Sequence, residues 1–250
     1  MMFAKPKGGI QIGKALLKAP YLDNVIVNAP ENLLFITDLH LRRGHTEALD
    51  ALMSAVRNVK TRFVLVGGDM AEYEDGLRNV YARLRAAFPD ANIIAVSGNN
   101  DGQIFNGNRD RQRGLVSSCG CTLLQNETFR LGGIEIAGVE DFYAGKPDVK
   151  GLFSKDEGVY RILLSHSPDS ALLDKADTAP QLMLCGHTHG GQINVLGCTC
   201  YLMGYEKGHD YISLAGVSRR NGTTVLVSRG IGYSKFPIRV GARSEVHLIK

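Results

Sequence analysis

Nine short apolar runs rich in β-branched residues constrain this chain more than any other feature. They fall at residues 24–28, 33–37, 62–66, 92–97, 134–139, 160–165, 181–185, 223–228 and 245–249. Runs this short, bounded by Gly, Pro and Asn, suit strands buried on both faces. Helical patterns separate the early ones. Thr46 is placed to cap a helix carrying Leu49, Leu52, Met53 and Val56 on one face. Asp75 opens a second, carrying Leu77, Val80, Leu84 and Phe88 and stopping at Pro89. Ser167-Pro168-Asp169 has cap-then-proline order ahead of a third at 171–176. Alternation of strand and helix through the first hundred residues implies a parallel sheet. Beyond residue 120 the strands crowd together, which points to a second, mixed sheet. No linker, repeat or low-complexity segment interrupts the chain, so residues 1–250 read as one domain.

The composition is that of a globular protein, with 44% apolar and 22% charged residues. It excludes a disordered chain, a coiled coil and a collagen-like fibre. Glycine is in excess, 29 of 250 residues against a usual 7% or so, as expected for many tight loops or close backbone approaches. A formal charge of +4 favours an anionic ligand but is too small to argue for nucleic acid, and no basic-aromatic stripe appears. No window holds the 18 or so apolar residues of a membrane span, and the N-terminal residues lack a signal-peptide pattern, so a cytoplasmic protein is expected. Cys119, Cys121, Cys185, Cys198 and Cys200 are an odd set in a chain long enough to need no staple. Two Cys-x-Cys pairs can make a four-thiolate zinc site, but structural zinc sites favour wider spacing, so packed reduced thiols are expected.

The chemistry-bearing residues lie where apolar runs end. Asp38 and His40 follow the run at 33–37, Asp69 the run at 62–66, and Asn99-Asn100-Asp101 the run at 92–97. His166 follows 160–165, and His187 and His189 follow 181–185. In open α/β sheets, ligands bind outside the carboxyl ends of the strands. Taken singly, an Asp after a strand is a turn residue and a His is a structural one. Together, in one strand-end context, they offer two Asp, four His and an Asn, a thiolate-free set suited to Mn²⁺, Fe or Zn²⁺.

The order Asp-x-His, Gly-Asp, Gly-Asn-x-Asp, a lone His and Gly-His-x-His resembles the calcineurin-like metallophosphoesterase superfamily. Leu164–Asp169, Gly186–Gln192 and the closing Arg229-Gly230-Ile231-Gly232 with Pro237-Ile238-Arg239 resemble its bacterial YkuE-like branch. The resemblance implies a four-layer αββα sandwich, two mixed sheets flanked by helices. It implies two divalent metal ions, Mn²⁺ first with Fe and Zn²⁺ as alternatives. Asp38, His40 and His189 would hold one, Asn99, His166 and His187 the other, with Asp69 bridging. It further implies hydrolysis of a phosphoric ester or anhydride by in-line attack of a metal-bridging hydroxide.

The departure is Asn100, where the family's usual motif has a His that protonates the leaving oxygen or steadies the transition state, oriented by the next Asp. Asp101 is kept, but an amide is no general acid near neutral pH. Asn100 can still donate a hydrogen bond to a phosphate oxygen. A phosphodiester or pyrophosphate bond is therefore expected to be preferred over an alkyl monoester. The expected partner is a small phosphorylated molecule: a diester, a nucleotide or a UDP-sugar-type pyrophosphate. A phosphomonoesterase of ordinary specificity and a non-catalytic metal-binding scaffold of the same fold are the alternatives. Arg42, just past the Asp38–His40 turn, is the candidate phosphate contact. Arg109, Arg111 and Arg113 read as a solvated face, His45 as a helix-start residue, His209 as a loop residue that can line the cleft, and Glu140-Asp141 as shaping a loop at the pocket.

Overall fold

The computed structural model describes residues 10–12, 20–195, 198–199 and 210–250. In chain order its strands are β1 (Ile10–Ile12), β2 (Tyr21–Val25), β3 (Leu33–Ile36), β4 (Phe63–Val66), β5 (Asn92–Ala95), β6 (Thr122–Leu123), β7 (Glu127–Leu131) and β8 (Ile134–Gly138). They continue as β9 (Tyr160–Leu164), β10 (Leu182–Cys185), β11 (Asn194–Val195), β12 (Cys198–Thr199), β13 (Gly216–Arg220), β14 (Thr223–Val227), β15 (Ile238–Val240) and β16 (Glu245–Ile249). The α-helices are α1 (Glu47–Val56), α2 (Glu74–Ala87), α3 (Asn99–Ile104), α4 (Arg109–Ser118) and α5 (Ala171–Lys175).

Two six-stranded mixed sheets carry the fold, in the orders β2-β16-β3-β4-β5-β6 and β13-β14-β10-β9-β8-β7. Period-two alternation assigns each side chain to a layer. In the first sheet Leu33, Phe35, Phe63, Leu65 and Ile94 face the second, where they meet Ile136, Ile162, Leu164, Leu182 and Leu184. The alternate residues, Leu34, Ile36, Val64, Val66 and Ile93, turn outward onto Leu49 and Leu52 of α1 and Leu77, Val80 and Leu84 of α2. The outer face of the second sheet, Ala137, Leu163, Met183, Val225 and Val227, is covered by Leu172 and Leu173 of α5 and by Val149 and Phe153 from a loop. Each Val, Leu, Ile, Phe or Met side chain so taken from water stabilises the fold by roughly 1.5–3 kcal/mol. The four-layer αββα sandwich is thus present, its second helical layer being, among the described residues, one short helix and a loop.

Pairing direction positions the site. β3, β4, β5 and β6 run parallel, as do β8, β9, β10 and β14, while β7 and β13 close the second sheet as antiparallel edges. The carboxyl ends of β3, β4 and β5 therefore share an edge with those of β9 and β10. Several details differ from expectation. β2 spans Tyr21–Val25 instead of residues 24–28. Thr46 occupies the N-cap of α1 without a side-chain cap bond, and α2 opens at Glu74 behind Tyr73. Cys119, Cys121 and Cys185 are free thiols, the last two buried. The side chain of Cys198, with Cys200 and His209, lies outside the described residues.

Candidate metal centre

Asp38 and His40 leave β3 with φ of +54° and +46°, Asp69 leaves β4 at +53°, and His187 and His189 leave β10 at +69° and +49°. These five are half of the ten non-glycine residues with positive φ among the described residues. That region costs of order 1–3 kcal/mol for a residue with a Cβ, and such strain gathers at functional sites. Asp and His tolerate it better than β-branched residues do.

The turns bring all seven candidate ligands together. His40 Nε2 lies 3.1 Å from His189 Nε2, and Asp38 Oδ1 stands 3.9 Å and 3.5 Å from these two nitrogens. Beside this group, His166 Nε2 is 3.2 Å from Asn99 Oδ1 and 3.2 Å from His187 Nδ1, which is itself 3.1 Å from Asn99 Oδ1. Asp69 Oδ2 reaches both groups, at 3.6 Å from His40 Nε2 and 3.4 Å from His166 Nε2. One carboxylate between two donor clusters is the geometry expected of a bridging ligand.

The residues fit divalent cations by the chemistry of the donors. His166 Nδ1 donates to the Gly67 carbonyl at 2.8 Å, which turns Nε2 inward as the ligating atom. That nitrogen then meets acceptor oxygens of Asn99 and Asp69, an arrangement that is costly unless positive charge sits among them. Burial alone would lower the His166 pKa, but the carboxylates of Asp69, Asp38 and Asp141 hold it well above the ordinary value. Burial would raise the Asp69 pKa, and His166 pulls it well below the carboxylate range instead. The His189 pKa is held well below its usual value, by burial first and then by Arg239. The Arg239 guanidinium lies 2.9 Å from His189 Nδ1 and, having only N–H groups, donates to it, so the ring is uncharged and accepts there.

Asp101 is fully enclosed and works on the backbone. Its carboxylate accepts from the amides of Asp69 (2.7 Å), Met70 (3.2 Å) and Gly98 (3.1 Å), tying the Asp69 turn to the Asn99 turn. Burial, then repulsion from Asp69, raises its pKa to about 7. Asn100 turns to Asp69: its backbone N–H donates to Oδ1 at 2.8 Å and its Nδ2 to Oδ2 at 2.6 Å. Arg42 is already engaged. Its Nε and Nη2 donate to Glu72 Oε1 at 2.9 Å and 2.7 Å, and Nη2 also to the Ser234 carbonyl at 2.7 Å. The guanidinium lies 4.4 Å above the Tyr233 ring. Arg109, Arg111 and Arg113 pair with Glu140, Glu74 and Glu127. Asp141 Oδ1 accepts from the amides of Tyr143 and Ala144, a turn that stacks the Tyr143 ring 5.3 Å from that of His187.

A cavity of about 510 Å³ opens over the cluster, with Arg42, Glu72, Asn100, Gln103, Tyr143 and Lys235 among its lining residues. Of these, sequence reasoning reached Arg42 and Asn100. Gln103, Tyr143 and Lys235 follow no strand run, and Glu72 carried only its spacing of three from Asp69. Arg239 was visible within the closing motif without a role.

The profile of the calcineurin-like phosphoesterase family matches residues 32–191, a span that holds every candidate ligand from Asp38 to His189. The chain belongs to that family. Calcineurin-like relatives of the same bacterial branch include the uncharacterized metallophosphoesterases YkoQ and YkuE of Bacillus subtilis. YkoQ is 27% identical over 86% of this chain and 81% of its own length, and YkuE is 28% identical over 84% and 75%. The phosphodiesterase YaeI of Escherichia coli is 28% identical over 89% of this chain and 82% of its own. Some curated relatives are longer, and this chain spans 61% of their length. No helix among the described residues is long and apolar enough to cross a membrane.

Proposed function

We propose that this phosphoesterase cleaves a phosphodiester or pyrophosphate bond in a small phosphorylated substrate, with two divalent cations, Mn²⁺ first and Fe or Zn²⁺ as alternatives. Asp38, His40 and His189 hold one cation, Asn99, His166 and His187 the other, and Asp69 is shared. Bound divalent cations supply charge to the phosphoryl oxygens and acidify water for attack at phosphorus. The neutral Asn99 carbonyl leaves the centre more positive than a third carboxylate would, which favours an anionic substrate. Asn100 steadies Asp69, and the Asp101 carboxylate fixes the two turns that carry Asp69 and Asn99.

The observation that carries the choice of bond is the Asn100 amide on Asp69 Oδ2 at 2.6 Å, with no proton donor in its place. Among the described residues, no histidine outside the ligand set lines the cavity. Burial would raise the Glu72 pKa, but the His40 ring facing it at 3.6 Å and the Arg42 guanidinium bonded to it lower it, so this carboxylate stays ionised and gives no proton. Without a histidine there, a leaving group that departs as a stable anion is favoured, as a phosphate, a phosphomonoester or an aryl oxide does. The name of the phosphodiesterase YaeI supports the same reading. The free thiols Cys119 and Cys121 support a reducing compartment, the cytoplasm. Asn100→His tests this account. A restored general acid should raise turnover of an alkyl phosphomonoester by about 10²-fold or more while changing diester cleavage far less. An unchanged monoester-to-diester ratio would discard it.

A further inference from the structure

His40 has one ring nitrogen without a hydrogen bond. Its Nε2 points into the ligand cluster, while its Nδ1 is buried and makes no bond of ordinary length. The oxygen facing Nδ1 is Glu72 Oε1, at 3.6 Å. The same oxygen takes both Nε and Nη2 of Arg42, and Arg42 is itself anchored to the Ser234 carbonyl and laid over Tyr233. A ring that ligates through Nε2 carries its proton on Nδ1, so the outward end of His40 is a donor aimed at an anchored carboxylate. His166 solves the same problem with the Gly67 carbonyl. An Arg–Glu pair this exposed adds little to stability, which leaves the three-way convergence on one oxygen unexplained by folding alone.

We propose that Glu72 is a positioning residue, held by Arg42, that accepts the Nδ1–H of His40 and so raises the cation affinity of the Asp38–His40–His189 site above what those three ligands would give unaided. Closing 3.6 Å to hydrogen-bond length needs a movement of roughly 0.5 Å, which the half-exposed Glu72 side chain can make. A carboxylate behind an imidazole fixes its tautomer and ring angle and makes it a more basic ligand. Arg42 accordingly acts through Glu72, and its cavity position is a consequence of holding that residue. The inference rests on the two-cation reading above and concerns one of the two sites.

The test is calorimetric titration of Mn²⁺ into the chelator-stripped full chain, with thermal unfolding of the metal-free proteins alongside. The unaltered chain should bind two ions. Glu72→Gln should weaken one of them by about 10–100-fold and leave the other as it was, with a metal-free unfolding midpoint close to that of the unaltered chain. Arg42→Met should weaken the same ion by a smaller factor. If Glu72→Gln binds both ions as the unaltered chain does, or weakens both equally, the proposal is overturned. If Glu72→Gln unfolds early, Arg42→Met decides in the same terms: loss at one ion supports the role of Glu72, and unchanged binding overturns it. An unaltered chain that binds no Mn²⁺, Zn²⁺ or Fe²⁺ would instead remove the two-cation reading itself.

Discussion

At Asp38 and Asp69 the chain packs so closely that neighbouring glycines become part of the site. A Cβ on Gly186 would stand 2.1 Å from Asp38 Oδ2 and 2.4 Å from Thr37 Oγ1; one on Gly98 would stand 2.1 Å from Asp69 Oδ1. Asp38 is held in place by the Thr37 hydroxyl at 2.7 Å and the His187 amide at 3.0 Å. Gly186→Ala should therefore cost about 1–3 kcal/mol of stability, as overpacking does, and should also weaken Mn²⁺ binding. Urea unfolding of the metal-free variant and a Mn²⁺ titration check the two effects; unaltered values in both would show that the site accommodates a methyl group there. The seven candidate ligands were legible in the sequence because each lies within four residues of the end of an apolar strand run. Glu72, Tyr143 and Arg239 were not, since they reach the site through loops whose path no periodicity encodes.

Among the elements, legibility followed burial. The strands with both faces enclosed, such as β3, β4 and β10, announce themselves as unbroken apolar runs. β13 alternates between half-buried and exposed along Gly216–Arg220, and β7 is likewise an edge with no fully buried residue; polar edge strands give no such run. α4 gives little apolar periodicity because only Gln112, Leu115 and Val116 of its ten residues are buried, so its arginines read as a solvated face. α3 begins at Asn99 itself, and Asn-Asn-Asp-Gly reads as a turn. The β7–β8 hairpin contains a charge whose environment yields a prediction. Glu135, enclosed on β8, accepts from Arg130 Nε at 2.8 Å and from the Ser154 amide at 3.0 Å. Burial would raise its pKa, but these bonds from Arg130 and Ser154 lower it. A carboxyl with a lowered folded-state pKa contributes stability above its unfolded value near 4.3, and the contribution is lost as pH falls through the folded value. Glu135→Gln should thus lower stability by about 1 kcal/mol at neutral pH, allowing for the exposure of Arg130, and the deficit should shrink below about pH 4. Denaturant unfolding at both pH values measures this, and a deficit that persists in acid would contradict it.

For the whole molecule, the decisive property is that both sheets run their parallel strands toward one edge. The first supplies Asp38, Asp69 and Asn99, the second His166, His187 and His189, so the candidate centre fastens one sheet to the other. Cations bound there and not to the unfolded chain must stabilise the sandwich. At a hundred times the dissociation constant one ion contributes about 2.7 kcal/mol, which for a chain of this size raises the unfolding midpoint by roughly 5–10 °C. Scanning calorimetry with chelator and then with Mn²⁺ should show that rise, larger if both ions bind; coincident midpoints would speak against a shared centre. On the proposed reading, these candidate ligands serve cleavage of a phosphodiester or anhydride bond. The most direct test of that reading is hydrolysis of bis-p-nitrophenyl phosphate beside p-nitrophenyl phosphate by chelator-stripped protein re-supplied in turn with Mn²⁺, Zn²⁺, Fe²⁺ and Mg²⁺, with Asp69→Ala as the blank. Metal-dependent turnover that favours the diester and is absent from the blank is the expected result. Preference for the monoester, or equal turnover by Asp69→Ala, would contradict it.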